Sequence, residues 1–317
     1  MARPTDRFRR RCGVVVVGQA SLPVHVNLSI KMPPPESPGG EFTYLERHSR
    51  TAGLMLMVKR HLVHRQTQFQ TLDLFETEDF GKVLTLDGMV MLTERDEAAY
   101  HEMLVHVPML IHPNPRKALV VGGGDGGVLR ELLRHRTLEK AVQVEIDCAV
   151  VDVSREYFPW AEAVYNNPKV TLVVDDAIKY MRQVKGEFDV VVVDSTDPVG
   201  PAEGLFNESF YRDVFGALSE QGIMSGQLGS AFYASEWVGL IIKRLRDIFP
   251  YVGLYLAHIP TYPSGLWSLG LASKFTKIDT HPDKVRYDTF SHDLKYYNHQ
   301  VHFGSFMLPE YLKRATV

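Results

Sequence analysis

Two carboxylates follow a run of apolar residues in the middle of the chain. Asp194 and Asp197 come directly after the valine run 190–193, in a loop that also holds two prolines and a glycine. The β-branched run predicts a strand buried on both faces, and open α/β sheets bind ligands outside the carboxyl ends of such strands. Two acids there can take a proton from an attacking group and hold a polycation. A structural turn needs only the prolines and the glycine, so we interpret the acids as part of a site.

A glycine-rich loop is the second candidate. Residues 122–127 read Gly-Gly-Gly-Asp-Gly-Gly, between a predicted strand at 118–121 and a predicted helix at 128–135. Such a loop lets the backbone approach a nucleotide closely, although a glycine loop alone is a weak signal. Glu145 strengthens the signal, because it ends the next predicted strand about 20 residues further on, where an acid can reach a ribose hydroxyl.

Two further acids, Asp175 and Asp176, end the third predicted strand. Either one can accept a hydrogen bond from an exocyclic adenine amine, although such acids are just as often helix N-caps. The acids and their spacing, taken as a set, favour a nucleoside as the ligand. A phosphate is disfavoured, because Asp125 within the glycine loop would repel it and no Walker-type lysine follows the loop.

These candidates need a sheet to bring them together, and the pattern after residue 95 alternates helices with strands. Residues 98–110 have helical spacing and stop before Pro113, which cannot continue a helix. The predicted strands that follow are 118–121, 141–144, 170–174, 190–193 and 222–227. This alternation predicts an α/β fold with a doubly wound, mostly parallel sheet.

Short β-like runs dominate the segment before that point. The runs are 53–59, 69–75, 83–86 and 89–92. Asp87-Gly88 between the last two is a strong hairpin signal. We therefore predict a small antiparallel β domain over residues 41–95 and a larger α/β domain over 96–317. Residues 1–40, rich in arginine and proline, are not assigned to either domain and are predicted to be a disordered extension, with a transit peptide as the alternative.

Composition disfavours several classes of protein. The chain has 317 residues, of which 45% are hydrophobic, and a net charge of −3, which argues against a nucleic-acid partner. Two cysteines, Cys12 and Cys148, are too few for a disulfide framework and indicate reduced thiols in the cytoplasm. The apolar runs are too short for a transmembrane helix, so no membrane partner is expected.

Thirteen histidines are scattered along the chain, and two pairs have a spacing compatible with metal binding on a helix. The pairs are His61 with His64 and His299 with His302. Metal sites need further ligands, and neither pair comes with a nearby set of acids. Surface or packing roles are therefore expected for these histidines, and no metal is predicted.

Five segments together resemble the spermidine synthase family of polyamine aminopropyltransferases. The segments are 92–97 with 100–103, the GGGDGGVLREL run at 122–132, 144–147, 194–206 and 260–265. The resemblance covers roughly residues 42–317, and its motifs are far more specific than a lone glycine loop. It implies a Rossmann-like, methyltransferase-type sheet. It also implies a transferase that moves the aminopropyl group of decarboxylated S-adenosylmethionine to putrescine, giving spermidine and 5′-methylthioadenosine.

The resemblance implies a site for the donor, which is a co-substrate, so no cofactor is expected. The donor-binding positions are Gln70, His101, Gly122, Gly124, Asp125, Glu145, Asp176 and Ala177. The first two line the centre of the site, and the glycines cradle the donor. In the family, the Asp125 position binds the ammonium group of the donor and the Glu145 position its ribose hydroxyls. Asp176 and the backbone of Ala177 correspond to the adenine contacts.

The resemblance also implies a site for the acceptor amine. The acceptor-binding positions are Tyr100, Asp194, Asp197, Gln227, Tyr262 and Trp267. The catalytic position is Asp194, which deprotonates the incoming amine while Tyr100 orients it. Asp197 and Tyr262 hold the distal amine, and residues 195–206 resemble a lid that excludes water. Because a sulfonium is already a good leaving group, the enzyme needs only alignment and a neutral nucleophile.

Some positions depart from the family pattern in animals. Ala177 stands where a glycine is common, and residues 226–230 look closer to bacterial members. Trp267 resembles thermophilic bacterial enzymes of broader amine specificity, although a tryptophan there is also an ordinary core residue. The acceptor is therefore open among putrescine, agmatine, cadaverine and longer polyamines.

Two alternatives from other classes stay open at this stage. One is a methyltransferase that uses intact S-adenosylmethionine, which suits the sheet and Glu145 but not Asp125. The other is a non-catalytic polyamine-binding paralogue, which the presence of Asp194, Asp197 and Tyr100 disfavours. The expected partners are small-molecule substrates and further copies of the chain, as a homodimer or a homotetramer.

Overall fold

The computed structural model describes residues 14–19, 42–198, 200–278 and 281–316. The chain divides into two compact units. The first comprises the residues up to 66 together with 71–94, and the second comprises 67–70 together with the residues from 95 onward. The division after residue 94 lies next to the boundary that the sequence predicts at residue 95. Residues 1–13 and 20–40 of the predicted extension lie outside the described residues.

The first unit is a six-stranded sheet whose strands are neighbours in chain order. The strands are β1 (Val14–Gln19), β2 (Phe42–Arg47), β3 (Gly53–Gln66), β4 (Thr71–Thr77), β5 (Lys82–Leu86) and β6 (Met89–Thr93). β1 lies inside the predicted extension and pairs with β2 in parallel, while every other pair is antiparallel. Asp87 and Gly88 both have positive φ and form the two-residue turn between β5 and β6, which confirms the hairpin signal.

The second unit alternates strands and helices. Its strands are β7 (Lys117–Gly122), β8 (Lys140–Glu145), β9 (Val170–Val174), β10 (Phe188–Asp194), β11 (Leu218–Ser230), β12 (Tyr251–His258) and β13 (Leu266–Ser273). Its helices are α1 (Glu97–Ile111), α2 (Gly127–Leu133), α3 (Cys148–Tyr157), α4 (Ala161–Tyr165), α5 (Ala177–Gln183), α6 (Glu208–Ala217), α7 (Ser235–Arg246), α8 (Lys284–Asp288), α9 (His299–Ser305) and α10 (Glu310–Ala315). Short 3-10 segments lie at Gly200–Phe206, Pro263–Gly265 and Ser291–Asp293.

The strand order of the second sheet is β12-β13-β11-β10-β7-β8-β9. The five strands from β11 to β9 are parallel, and β13 is antiparallel to both of its neighbours. The Rossmann-like, mostly parallel class is thus confirmed, together with the small and largely antiparallel N-terminal sheet. The chain leaves β7 in one direction along the sheet and later returns to β10 on its other side, so the topological switch point lies between these two strands.

The sequence did not predict β12 and β13. Gly253, Ser268 and Gly270 interrupt their apolar pattern, and the backbone pairing of the two strands supplies what the local pattern lacks. The valines of β10 are at most 3% exposed, which confirms a strand buried on both faces. All fifteen residues of α1 are buried, and this helix ends before Pro113, as predicted.

The expectation that neither histidine pair has an acid nearby was wrong for His61 and His64. His61 and His64 lie on the strand β3, and Oδ1 of Asp73 on β4 is 2.7 Å from a ring nitrogen of each. The acid comes from the neighbouring strand, so the spacing of the histidines alone did not reveal it. His299 and His302 do lie on a helix, α9, where Nδ1 of His302 is 2.8 Å from the Tyr297 hydroxyl.

Candidate active site

The glycine loop and Asp194 meet at the switch point of the second sheet. Gly122 at the end of β7 is paired with Asp194 at the end of β10, and the Gly123 N–H donates to the Asp194 carbonyl at 2.9 Å. Gly122 has a φ of +78°, and a Cβ there would overlap the Asp194 carbonyl. Only glycine therefore lets the two strand ends come this close. The side chain of Gln143 donates to the carbonyls of Gly122 and Gly123 and holds the loop.

Asp194 has two carboxylate oxygens in different environments. Oδ1 accepts a hydrogen bond from the Tyr100 hydroxyl at 2.7 Å. Oδ2 is buried and has no hydrogen-bond partner within the described part of the chain. Burial raises the pKa of Asp194 to about 7, the Asp125 charge adds to this, and His101 and the Tyr100 hydrogen bond oppose it. The group is therefore suited to exchange a proton near neutral pH.

Asp125 and His101 form the other charged centre of the site. Oδ1 of Asp125 accepts from the Gly127 N–H at 2.6 Å and lies 3.3 Å from Nε2 of His101. Nδ1 of His101 lies 2.7 Å from Oε2 of Glu97, and the same oxygen accepts a hydrogen bond from Arg130. Burial alone would lower the pKa of His101, but Asp125 and then Glu97 raise it to about 10. His101 is thus a cation at neutral pH and holds Asp125 in place.

The ligand atoms of His101, Asp125 and Asp194 all lie within 4.8 Å of one another, a spacing that a metal ion could bridge. A metal ligand must lose its proton, and the raised pKa of His101 opposes that loss at neutral pH. The cluster is therefore better suited to bind a cationic organic group between its two carboxylates than to bind a metal.

Glu145 ends β8 beside the glycine loop. Its Oε1 accepts a hydrogen bond from the Asp147 N–H at 2.9 Å, and burial raises its pKa to about 7 against the lowering effect of that bond. Oδ2 of Asp147 in turn accepts hydrogen bonds from the Thr67 hydroxyl at 2.8 Å and from the Gln70 amide at 3.0 Å. Asp147 thereby links the segment 67–70 to the acid at the end of β8.

Asp176 and Ala177 lie at the end of the third parallel strand. Oδ1 of Asp176 caps α5 by accepting a hydrogen bond from the Ile178 N–H at 2.8 Å. One of its two oxygens therefore has the N-cap role that the sequence left open as an alternative. Ala177 is the first residue of that helix. The Asp175 N–H donates to the Glu145 carbonyl at 3.2 Å, which brings this strand end next to Glu145.

An aromatic group lies next to Tyr100, the hydrogen-bond partner of Asp194. The ring of Tyr262 is 5.7 Å from that of Tyr100 and 4.8 Å from that of Trp267. Burial and then the Asp194 charge raise the pKa of Tyr262 well above its usual value, and Asp197 contributes to this shift. Trp267 is only 5% exposed, so it packs in the interior as well as against Tyr262.

Gln227 is hydrogen-bonded to the loop that follows Asp194. Its amide donates to the carbonyls of Ser195 and Thr196 at 3.2 and 3.1 Å. Further along the same segment, Ala202, Leu205 and Phe206 are buried in the core of the sheet. These three side chains anchor the C-terminal part of the predicted lid to the second unit.

Comparisons with known proteins identify the family of the chain. The family model of the spermine/spermidine synthase domain matches residues 97–282, and that of the spermidine synthase tetramerisation domain matches 43–94. A polyamine aminopropyltransferase of Alkaliphilus metalliredigens is 45% identical over 280 residues, which are 86% of this chain and 97% of that protein. The chain belongs to the spermidine synthase family. It is therefore a transferase of the aminopropyltransferase type.

Solved structures from the same family are similar to most of this chain. A crystal structure of spermidine synthase with the transition-state analogue AdoDATO has a TM-score of 0.85 and 40% identity, covering 90% of this chain and 98% of that one. Spermidine synthase from Thermotoga maritima has a TM-score of 0.82 and 38% identity over the same shares. Among the described residues of this protein, no helix is both long enough and apolar enough to cross a bilayer.

Several functional contacts of this spermidine synthase family member were missed in the sequence. Glu97 is four residues before His101 on α1, and this spacing is a signal that could have identified it. Asp96 accepts two hydrogen bonds from Thr261 and so fixes the loop that carries Tyr262. Arg130 and Gln143 offer no comparable local signal, because the partner of each, Glu97 for Arg130 and the glycine loop for Gln143, lies 20 or more residues away in the sequence.

Proposed function

We propose that this protein transfers the aminopropyl group of decarboxylated S-adenosylmethionine to putrescine, giving spermidine, 5′-methylthioadenosine and a proton. The observation that carries the proposal is the pair of unlike carboxylates at the switch point. Asp125 is bound to the cationic His101, whereas Asp194 keeps a buried oxygen without a partner among the described residues. Asp125 is thus suited to bind an ammonium group in a fixed position, and Asp194 is suited to accept a proton.

The donor would lie along the carboxyl ends of three parallel strands. Asp125 would receive its ammonium group, Glu145 its ribose hydroxyls, and Asp176 with the Ala177 backbone its adenine. The second oxygen of Asp176 is not used by the helix cap and lies 3.8 Å from Lys179 Nζ, so it can still accept from an amine. Gln70, Gly122 and Gly124 would border the donor.

The acceptor amine would enter between Asp194 and the aromatic group. Asp194 takes its proton, and Tyr100 fixes the carboxylate during that step. The nitrogen lone pair then attacks the aminopropyl carbon, the carbon–sulfur bond breaks, and its electrons convert the sulfonium into a neutral thioether. Asp197 and Tyr262 would bind the distal amine of the acceptor, while Gln227 and Trp267 would shape its pocket through the loop and the Tyr262 ring.

The experiment is a product assay of the purified chain with decarboxylated S-adenosylmethionine and a panel of amines. Putrescine, cadaverine, agmatine and spermidine are compared by kcat/KM, with products identified by mass spectrometry. Putrescine is expected to have the highest kcat/KM. A higher value for another amine would reassign the acceptor but leave the donor chemistry. Methyl transfer from intact S-adenosylmethionine, with no aminopropyl transfer to any amine, would overturn the proposal.

We further propose that the protein is a homotetramer in the cytoplasm. The match of residues 43–94 to a tetramerisation domain supports a tetramer over a dimer. Cys148 is a free, exposed thiol, which suits a reducing compartment. Light scattering coupled to size exclusion measures the mass directly, and a dimer mass would reject the tetramer.

A further inference from the structure

The first unit brings two histidines and an acid onto one face of its sheet. In a regular strand, residues three apart point to opposite faces, because side chains alternate with a period of two. The register between β3 and β4 shifts between His61 and Val63, which is the signature of a β-bulge. The extra residue turns His61 to the face that carries His64 and its direct cross-strand partner Asp73.

The three side chains converge on one point. Asp73 Oδ1 lies 2.7 Å from Nε2 of His61 and 2.7 Å from Nδ1 of His64, and the ligand atoms are all within 4.8 Å of one another. We propose that His61, His64 and Asp73 form a binding site for a divalent transition-metal ion, with Zn²⁺ as the best fit and water in the fourth position.

The donor set suits this ion. Imidazole nitrogen and carboxylate oxygen are both ordinary zinc ligands, and three protein ligands with one open position are a common zinc geometry. Ligand atoms of a tetrahedral zinc ion stand about 3.3 Å apart, so each of the two 2.7 Å contacts needs to open by about 0.6 Å. Small side-chain rotations supply such a shift. The ion then takes the place of the two contacts with the carboxylate, and each neutral ring carries its proton on the nitrogen that does not bind the ion.

The site combines fixed ligands with an entry path. The side chains of Asp73 and His61 are only 9% and 13% exposed, and the ring of Phe75 lies 4.6 Å from that of His61. The His64 side chain is 54% exposed, so the third ligand faces solvent and an ion can reach the site from there. The two buried ligands keep the geometry of the site, and the exposed ligand gives the ion an entry path.

The experiment titrates the full chain with Zn²⁺ by calorimetry and with Co²⁺ by visible absorption, which reports a tetrahedral site. One ion per chain is expected for the wild type. His64→Gln removes a half-exposed ligand without disturbing the core and is expected to weaken binding at least tenfold. Asp73→Asn and His61→Gln are expected to weaken binding to the same extent.

Two controls separate this site from other histidines. His292→Gln changes a histidine whose side chain is 73% exposed and which lies 3.4 Å from Asp293. It is matched in chemistry, but within the described residues no third ligand joins the pair. Asp125→Asn removes a ligand from the cluster His101, Asp125 and Asp194. Both variants are expected to bind Zn²⁺ like the wild type. Absence of binding, equal affinity in His64→Gln, or loss of the ion in Asp125→Asn alone would each overturn the proposal.

Discussion

The Tyr100 hydroxyl donates to Oδ1 of Asp194 at 2.7 Å, whereas Oδ2 of the same carboxylate is buried without a partner among the described residues. One oxygen thus fixes the orientation of the carboxylate while the other stays available to a proton. A purely structural acid would have both oxygens satisfied, because an unpaired buried oxygen costs stability. The asymmetry supports the role of Asp194 as the base and leads to the first two predictions.

Asp194→Asn is expected to lower kcat by roughly 10²- to 10⁴-fold, the usual effect of losing a general base. The amide keeps the shape of the side chain, so the affinity for the donor should change little. Steady-state kinetics and calorimetric titration of the donor measure the two effects separately. Near-normal turnover in the variant would remove Asp194 from the role of base.

Thermal stability provides the control for that variant. Because the folded-state pKa of Asp194 is raised to about 7 from an ordinary value of about 4, protonation contributes stability that is complete below pH 4 and is lost as the pH rises through 7. The asparagine variant should therefore melt at a higher temperature than the wild type at pH 8, and the difference should shrink at pH 5. Asp152→Asn, at an exposed position on α3, is the control substitution and should change the melting temperature little.

The pH dependence of kcat/KM follows from the same group. Asp194 must be ionised to accept a proton, so activity is expected to fall about tenfold per pH unit below 7. The hydrogen bond from Tyr100 lowers the pKa of Asp194, so Tyr100→Phe should move this acidic limb to higher pH and reduce kcat roughly tenfold. An unchanged limb in Tyr100→Phe would assign the titration to another group.

Asp125→Asn is expected to weaken binding of decarboxylated S-adenosylmethionine and to narrow its advantage over intact S-adenosylmethionine. The intact donor carries an extra carboxylate near its amine, and two like charges about 4 Å apart repel by about 4 kcal/mol at an effective dielectric near 20. The cationic His101 reduces that repulsion, so the discrimination in the wild type should lie below about a thousandfold. Calorimetric titration of both donors measures the ratio, and an equal ratio in the variant would mean that shape selects the donor.

Gly127→Ala is expected to destabilise the protein by about 1–3 kcal/mol and to weaken donor binding, because a Cβ there would overlap the ring of His101. His101 is held by Glu97 and Asp125, so it has little freedom to move away. Gly304→Ala is the matched control, since it also changes a helical glycine but meets no atom within 4 Å. The control should be neutral or slightly stabilising in a urea titration. Equal stability of both variants would contradict the close packing at His101.

Local patterns in the sequence were sufficient for much of the fold and for the position of the site. The valine run of β10, the glycine loop after β7 and the proline that ends α1 each express a constraint within a few residues of the chain, and the structure confirms all three. Since the ends of parallel strands share one edge, the sequence also indicated that acids at 145 and 194 would lie at that edge.

The roles of individual side chains depended on contacts between distant residues. Gln70 reaches Asp147 across 77 positions, and Asp176 turned out to cap its own helix with one oxygen. Asp73 joined two histidines only because β4 pairs with a bulged β3. The sequence by itself determined which elements form and which strand ends carry acids, because propensity and periodicity are local. The tertiary structure alone decided burial, charge pairing and proton affinity, because these depend on neighbours that chain separation does not reveal.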